Sequence, residues 1–242
     1  MRIPRFYVDT PLFSDSDIDL PEGVANHCAR VLRLKLGAPL ILFNGLGGEF
    51  STTVSAIEKR RVSVRLGEHH EREVESPLQV SVAQAVSKGE RMDYTIQKAV
   101  ELGVSKIEPL AAQRTVVNLK GERAAKRRDH WQGVVIAACE QSGRNRVPDV
   151  APLMGFKQWI AEPREGLKLV LHHRAAQALR EMPAPVGPVT LLIGPEGGLS
   201  EQEIAWAEQA GFVSVCLGPR VLRTETAALT TLSILQMLWG DF

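Results

Sequence analysis

The stretch Leu191-Leu-Ile-Gly-Pro-Glu-Gly-Gly-Leu-Ser-Glu-Gln-Glu203 reads as a buried strand delivered into a glycine-bearing turn and then a helix. Its first three residues are apolar without alternation, the pattern of a strand covered on both faces. Gly194, Gly197 and Gly198 let the backbone approach a ligand, with Pro195 and Glu196 between them. Ser200 opens the helix, and Glu203 three residues on completes a capping box. A helix N-terminus also presents N–H donors without partners. Neither nucleotide fingerprint fits, since the turn holds no GxGxxG and no Gly-Lys-Ser/Thr. Taken alone, it is either a ligand loop or a plain tight turn.

The same rhythm recurs outward from it. Leu217-Gly-Pro-Arg-Val-Leu-Arg-Thr-Glu-Thr-Ala-Ala228 is a second strand end running through Gly-Pro into a helix that begins near Thr224. Arg220 and Arg223 flank this loop, and Glu225 falls in the first helical turn. Strands are expected at 78–86, 104–110, 167–171, 189–193 and 212–217, with helices at 91–102, 123–141, 200–210 and 224–239. Met92, Ile96, Ala99 and Val100 share one face of the 91–102 helix, and Gly103 stops it. Alternating strands and helices imply an α/β domain with a mostly parallel sheet covered on both faces. In such sheets ligands bind beyond the carboxyl ends of the strands, here the loops after Leu171, Ile193 and Leu217. Two glycine-bearing loops at one sheet edge point to a site there, against paired structural turns.

The first 70 residues have a different rhythm. Strands are expected near 5–8, 39–43, 49–57 and 61–66, with Asn44-Gly45 as a hairpin turn and one helix over 22–32. This describes a small β-barrel with a single helix. The polar run Glu68–Pro77 reads as a linker.

Composition narrows the class. Apolar residues make up 44% and charged residues 24%, which is globular, while aromatics at 5% are too few for a platform that stacks single strands. Cys28, Cys139 and Cys216 are odd in number and far apart, which favours a reducing compartment over a disulfide framework. No apolar run reaches membrane-span length and none opens the chain as a signal peptide, so the expectation is a cytoplasmic protein. His69-His70 and His172-His173 lack partners at ligand spacing, so no metal is expected. The net charge of +1 hides eight Lys/Arg against three acids over 114–146, an excess of five that leaves the remainder slightly acidic. That run is either a polyanion contact or a solvated helix face.

Leu192-Ile-Gly-Pro-Glu-Gly-Gly198, the 217–227 block and Glu140-Gln-Ser-Gly-Arg144 together resemble the signature blocks of the ribosomal RNA small subunit methyltransferase E family. Lys88-Gly-Glu-Arg-Met-Asp93, Gln97-Lys-Ala-Val-Glu-Leu-Gly103 and His27-Cys-Ala-Arg-Val-Leu-Arg-Leu34 match as well. The resemblance runs in order along nearly the whole chain. It implies a PUA-like β-barrel RNA-binding domain over 1–72. A SPOUT α/β domain follows over 73–242, its carboxyl-terminal trefoil knot at about 167–242 holding the cofactor. It further implies S-adenosyl-L-methionine as cofactor, a homodimer, and methylation of N3 of one uridine in 16S ribosomal RNA, naked or in the assembled small ribosomal subunit.

Carried onto this sequence, the cofactor positions are Leu171, His172, Gly194, Pro195, Glu196, Gly197, Gly198, Leu217, Gly218, Leu222, Arg223, Thr224 and Ala227. Arg223 is the candidate that stabilises the uridine anion, with Glu196 or Glu225 as proton acceptor. Arg2, Arg5, Arg30, Arg33, Arg114, Arg127, Arg128 and Arg144 are the candidate RNA contacts. Two other readings stand beside this one: a SPOUT enzyme acting at another RNA position, and a ribosome-assembly protein that binds RNA without catalysis.

Overall fold

The computed structural model describes residues 3–59, 61–117 and 119–242. The chain divides into two compact units. The first comprises Met1–Glu75 with Cys139–Val147, and the second Ser76–Ala138 with Pro148–Phe242.

In the first unit, strands β1 (Arg5–Tyr7), β2 (Asp17–Asp19), β3 (Pro39–Phe43), β4 (Glu49–Ile57) and β5 (Val62–His70) form one sheet in the order β1-β3-β4-β5-β2. Its pairings are antiparallel except for β1 with β3. Alternation in β4 and β5 puts Val54, Val62, Val64 and Leu66 into a core shared with Phe6, Val8, Leu40, Leu42, Ala25 and Cys28. Two register shifts between β4 and β5 mark irregularities that bend the sheet over this core. The expected helix over 22–32 is shorter and changes character. α1 covers Glu22–Asn26, and a π-helical turn continues it over His27–Val31. Arg33 just beyond adopts a left-handed φ of 52°. The expected two-residue turn at Asn44-Gly45 is a longer loop, with positive φ at Gly45, Gly47 and Gly48. Because β5 runs to His70, the polar stretch read as a linker starts inside a strand.

Residues 139–147 enter this unit through buried polar groups. Arg5 pairs with Glu49 and donates to Asn145 Oδ1 at 2.6 Å. The Asn145 amide donates to the Arg72 carbonyl at 2.6 Å, and Arg72 donates to the Gly143 carbonyl at 3.2 Å. Arg144 pairs with Glu75, and the Tyr7 N–H donates to Glu140 at 3.0 Å.

The second unit is an eight-stranded, wholly parallel sheet. Its strands are β6 (Val80–Ala85), β7 (Lys106–Ala111), β8 (Asp149–Val150), β9 (Met154–Gly155), β10 (Leu167–Leu171), β11 (Gln177–Ala178), β12 (Val189–Ile193) and β13 (Val213–Cys216). The order is β11-β13-β10-β12-β6-β7-β8, with β9 also pairing β7. Every residue of β12, Thr190 among its four apolar neighbours included, is buried, as in a strand with both faces covered. Helix α2 (Arg91–Glu101) packs on α6 (Thr224–Trp239), which also lies against β12 and β6. Helices α4 (Phe156–Ile160) and α5 (Glu201–Gln209) join a core with Ala83, Leu110, Val170, Leu192 and Phe212. α3 (Glu122–Ser142) begins here and hands its last residues, from Cys139, to the first unit. No helix of the described residues is long and apolar enough to cross a membrane.

The order of the sheet sets up a crossing. β13 pairs β10 on the side away from β12, yet Thr224 just after it bonds to Gly194 and Gln84, which follow β12 and end β6. The segment 217–223 therefore passes the carboxyl ends of β10 and β12 before α6 begins.

Candidate functional site

Parallel strands end together, so the loops after β10, β12 and β13 gather at one edge. They enclose a cavity of about 500 Å³, within the range of small-molecule and cofactor sites, about 300–1,000 Å³. All thirteen cofactor positions carried onto the sequence line it. Leu171, Ile193, Val215, Leu217 and Leu222 supply apolar wall, while Arg91, Arg114, Arg220 and Arg223 supply cations.

The local geometry explains the glycines. A Cβ on Gly194 would sit 2.9 Å from the Leu199 nitrogen, so a side chain there meets backbone. Gly198 (φ +68°) and Gly218 (φ +124°) hold conformations that side chains rarely adopt. Gly197 is constrained by contact instead, since its Cβ would lie 3.3 Å from that of Arg114.

Three other loops hold this turn. The capping box forms as expected: Ser200 Oγ accepts from the Glu203 N–H at 3.2 Å, and Glu203 accepts from the Ser200 N–H at 2.8 Å. The same carboxylate takes the Gln113 N–H at 2.7 Å, and Arg114 donates to the Gly197 carbonyl at 2.9 Å. The Thr224 hydroxyl donates to the Gly194 carbonyl at 2.7 Å and accepts from Gln84 at 2.9 Å. Glu196 accepts from the Lys88 N–H at 3.0 Å and from Arg91 at 3.1 Å.

The two carboxylates expected to take a proton are poorly placed for it. Burial favours the neutral form of Glu196. The Lys88 N–H, its own backbone N–H and Arg91 outweigh that and hold its pKa below the ordinary glutamate value. Its carboxylate is engaged in holding its loop. Glu225 does not line the cavity; its carboxylate lies 3.9 Å from the Arg91 guanidinium. Arg223 is exposed, lines the cavity and precedes the first turn of α6. Among the described residues, the side chains of Arg220 and Arg223 make no hydrogen bond or ion pair. Burial, then His173 and Arg174, lower the pKa of His172, so the imidazole in the wall is neutral near pH 7.

The arginines expected on RNA divide. Arg2 lies outside the described residues. Arg30 and Arg33 are exposed on the first unit. Arg127 stacks over Trp131, while Arg128 is committed to the Val150 carbonyl at 2.7 Å. Arg114 holds the glycine-rich turn. Arg5 and Arg144 correct the expectation: they are 9% and 4% exposed, and their guanidinium groups neutralise Glu49 and Glu75 inside the first unit. A buried, paired guanidinium is not available to a phosphate. Sequence reasoning also missed Arg91, whose signal was its place just after the β6 strand end, at the same edge as the two glycine loops. Among the described residues no group of three or more His, Cys, Asp or Glu could hold a metal ion.

Comparison with known proteins agrees with this geometry. Residues 74–236 match the RNA methyltransferase domain family, and residues 20–67 the RNA methyltransferase PUA domain. The ribosomal RNA small subunit methyltransferase E of Buchnera aphidicola (subsp. Schizaphis graminum) is 35% identical, the alignment covering 99% of this chain and 98% of the relative. Its Bacillus subtilis counterpart is 33% identical over 89% of this chain and 90% of its own length. The Neisseria gonorrhoeae enzyme of the same name, solved bound to S-adenosyl methionine, superposes with a TM-score of 0.93 at 41% identity, with all of both chains covered. A Legionella pneumophila protein solved with bound cofactor SAM gives 0.97 at 41% identity, again with both chains fully covered. With a PUA-like unit, a parallel α/β unit and full-length relatives of one name, the chain belongs to the ribosomal RNA small subunit methyltransferase E family.

Proposed function

We propose that this protein transfers a methyl group from S-adenosyl-L-methionine to N3 of a uridine in the 16S RNA of the small ribosomal subunit, acting in the cytoplasm in ribosome biogenesis. The observation that carries this reading is the single cavity into which both glycine-bearing loops converge, walled by apolar side chains and rimmed by arginines. The residues fit the cofactor. Gly194, Gly197, Gly198 and Gly218 keep side chains out of the space, and Leu171, Leu217 and Leu222 offer apolar wall to a heterocycle. When bound, S-adenosylmethionine supplies an electrophilic methyl group on a sulfonium.

The remaining task falls on the chain's own residues. Uridine N3 carries a weakly acidic proton on its pairing edge, so the base must be unpaired and turned into the site. Arg223, unengaged and on the cavity wall, stabilises the negative charge that develops on the uracil as that proton leaves. Glu196 is held ionised by its donors, and Glu225 faces Arg91. Both carboxylates already face Arg91, so we assign the N3 proton to bulk solvent, lost as the base ionises beside Arg223. Exposed Arg30 and Arg33, together with Arg127, are the arginines left to meet phosphates. We assign the crossing of 217–223 over the ends of β10 and β12 to the trefoil knot of the family. A homodimer is part of the reading: Met237 and Leu238 are 74% and 42% exposed on α6, apolar surface that a second copy would cover.

Mapping modified uridines in 16S RNA from a strain lacking this protein, with and without a plasmid copy, tests the proposal. One uridine N3-methyl group should be missing in the deletion and restored by the copy. An unchanged modification map would refute it.

A further inference from the structure

A single guanidinium faces carboxylates from both segments that close the cavity. Arg91, the first residue of α2, has Nη1 3.1 Å from Glu196 in the β12–α5 turn and Nε 3.9 Å from Glu225 in the first turn of α6. The Glu196 and Glu225 side chains are 27% and 15% exposed, and Oε2 of Glu225 is buried with no hydrogen-bond partner. Among the described residues Arg91 is the only cation paired with either carboxylate. Arg91 also forms part of the cavity wall.

These contacts have a mechanical consequence. The turn 194–198 and the start of α6 are far apart in sequence, and each carries one negative charge toward the same point. With the guanidinium between them the charges attract a common partner. Without it each segment keeps a carboxylate that has lost its cation, and that of Glu225 is only 15% exposed. The planar fork of arginine suits two acceptors at once, which the point charge of lysine reproduces poorly. α2 itself does not depend on this contact, because Met92, Ile96, Ala99 and Val100 anchor it in the core.

We propose that Arg91 is a positioning residue of the cofactor cavity: by bridging Glu196 and Glu225 it fixes the glycine-rich turn and the N-terminus of α6 at the spacing that admits the cofactor. The proposal rests on the reading of this cavity as an S-adenosylmethionine site. It places a second brace beside the Thr224–Gly194 bond, so the two walls are joined by a neutral contact and an ionic one.

The ionic brace makes cofactor affinity depend on pH through Glu196. The groups facing that carboxylate are the Lys88 N–H and Arg91 from the β6–α2 segment, its own backbone N–H, and Glu225 across Arg91. His172, His173, Arg114, Arg220 and Arg223 share the cavity wall. Arg91 favours the charged form of Glu196, and protonating that carboxylate breaks the brace, so wild-type affinity falls as pH drops through the lowered Glu196 pKa, whereas Arg91→Ala has no brace left to lose.

The test is isothermal titration of S-adenosylhomocysteine into the full-length wild type, Arg91→Ala, Arg91→Lys, Glu196→Gln and the double variant Arg91→Ala/Glu196→Gln, across the acid range, with melting temperatures on the same samples. Arg91→Ala should bind about tenfold more weakly, the size of coupling found between contacting charged neighbours. Arg91→Lys should recover only part of the loss. The double variant should bind no more weakly than Arg91→Ala alone, and the acid limb seen in the wild type should be absent from Arg91→Ala. If Arg91→Ala melts far below the wild type, the Arg91→Lys protein carries the comparison. Wild-type affinity in Arg91→Ala, losses that multiply fully in the double variant, or a wild-type acid limb retained in Arg91→Ala would each overturn the proposal. Absence of binding by the wild type would instead overturn the cofactor reading on which it rests.

Discussion

Glu140–Arg144 and Gly194–Gly198 are equally conspicuous in the sequence, and the structure uses them in opposite ways. In the second, three of five residues are glycines whose backbone forms cavity wall, steadied by Ser200, Arg114 and Thr224. In the first, side chains are everything: Glu140 caps the Tyr7 N–H, Arg144 neutralises Glu75, and neighbouring Asn145 is wholly buried between Arg5 and Arg72. One block opens space for a ligand, and the other closes space around charge. A charged motif and a glycine motif can therefore both mark a family while only one of them lines the cavity. The same contrast separates the arginines, since those of the first unit's interior are partners of carboxylates and Arg223 on the cavity wall has no such partner among the described residues.

The contrast breaks most visibly at Arg223. Arg223→Ala should lower the single-turnover methylation rate by about a hundredfold or more, with a much smaller change in cofactor affinity, because one preorganised donor to developing charge is lost. Arg223→Lys should restore little. A near-normal rate at saturating cofactor and RNA would move the anion-stabilising role elsewhere, with Arg220 the next candidate on the wall. The counterpart in the other block is Arg144→Ala. It should destabilise the first unit by about 2 kcal/mol, less than the loss of a fully buried pair because the Glu75 carboxylate it leaves is partly exposed. Urea unfolding checks this, and S-adenosylhomocysteine affinity measured on the folded protein should match the wild type.

Much of this was readable in the chain. The mainly apolar strands β10, β12 and β13, alternating with helices, announced a parallel sheet, and the two glycine-bearing strand ends pointed to the edge where the cavity lies. What escaped notice did so for physical reasons. β8, β9 and β11 have two residues each, too short to show any periodicity, and α4 has five. The burial of Arg5 and Arg144 depends on Glu49 and Glu75, 44 and 69 residues away, so nothing local distinguishes them from the exposed Arg30 and Arg33. Arg91 escaped because its partners Glu196 and Glu225 lie more than 100 residues downstream.

An intermediate effect should appear with acid. Burial raises the pKa of Glu49, but Arg5, Asn145 and Arg72 outweigh it and hold the net value below that of an ordinary glutamate. A carboxylate depressed in this way adds stability that is complete above its unfolded pKa and disappears as pH falls through the folded one. Stability of the first unit should thus decline below the ordinary carboxylate range, and Glu49→Gln should flatten that limb of a melting-temperature profile. An unchanged acid slope in the variant would show that other groups govern it.

The smallest effect concerns the basic helix. Arg127 lies over Trp131 with its charge uncommitted, whereas Arg128 is bound to the Val150 carbonyl and lies 3.4 Å from Asp149. Replacing Arg127 by alanine should reduce the slope of log affinity for 16S RNA against log salt by about one, as one fewer counterion is released. The same change at Arg128 should leave the slope nearly as it was. Equal slopes for wild type and both variants would make α3 a solvated face.

The central claim is tested most directly by incubating the purified protein with S-adenosylmethionine and small ribosomal subunits that lack the modification, then digesting the RNA and weighing its nucleosides. The account predicts one new 3-methyluridine per 16S RNA. A methyl group on a ribose hydroxyl or on another base, or no transfer at all, would contradict it.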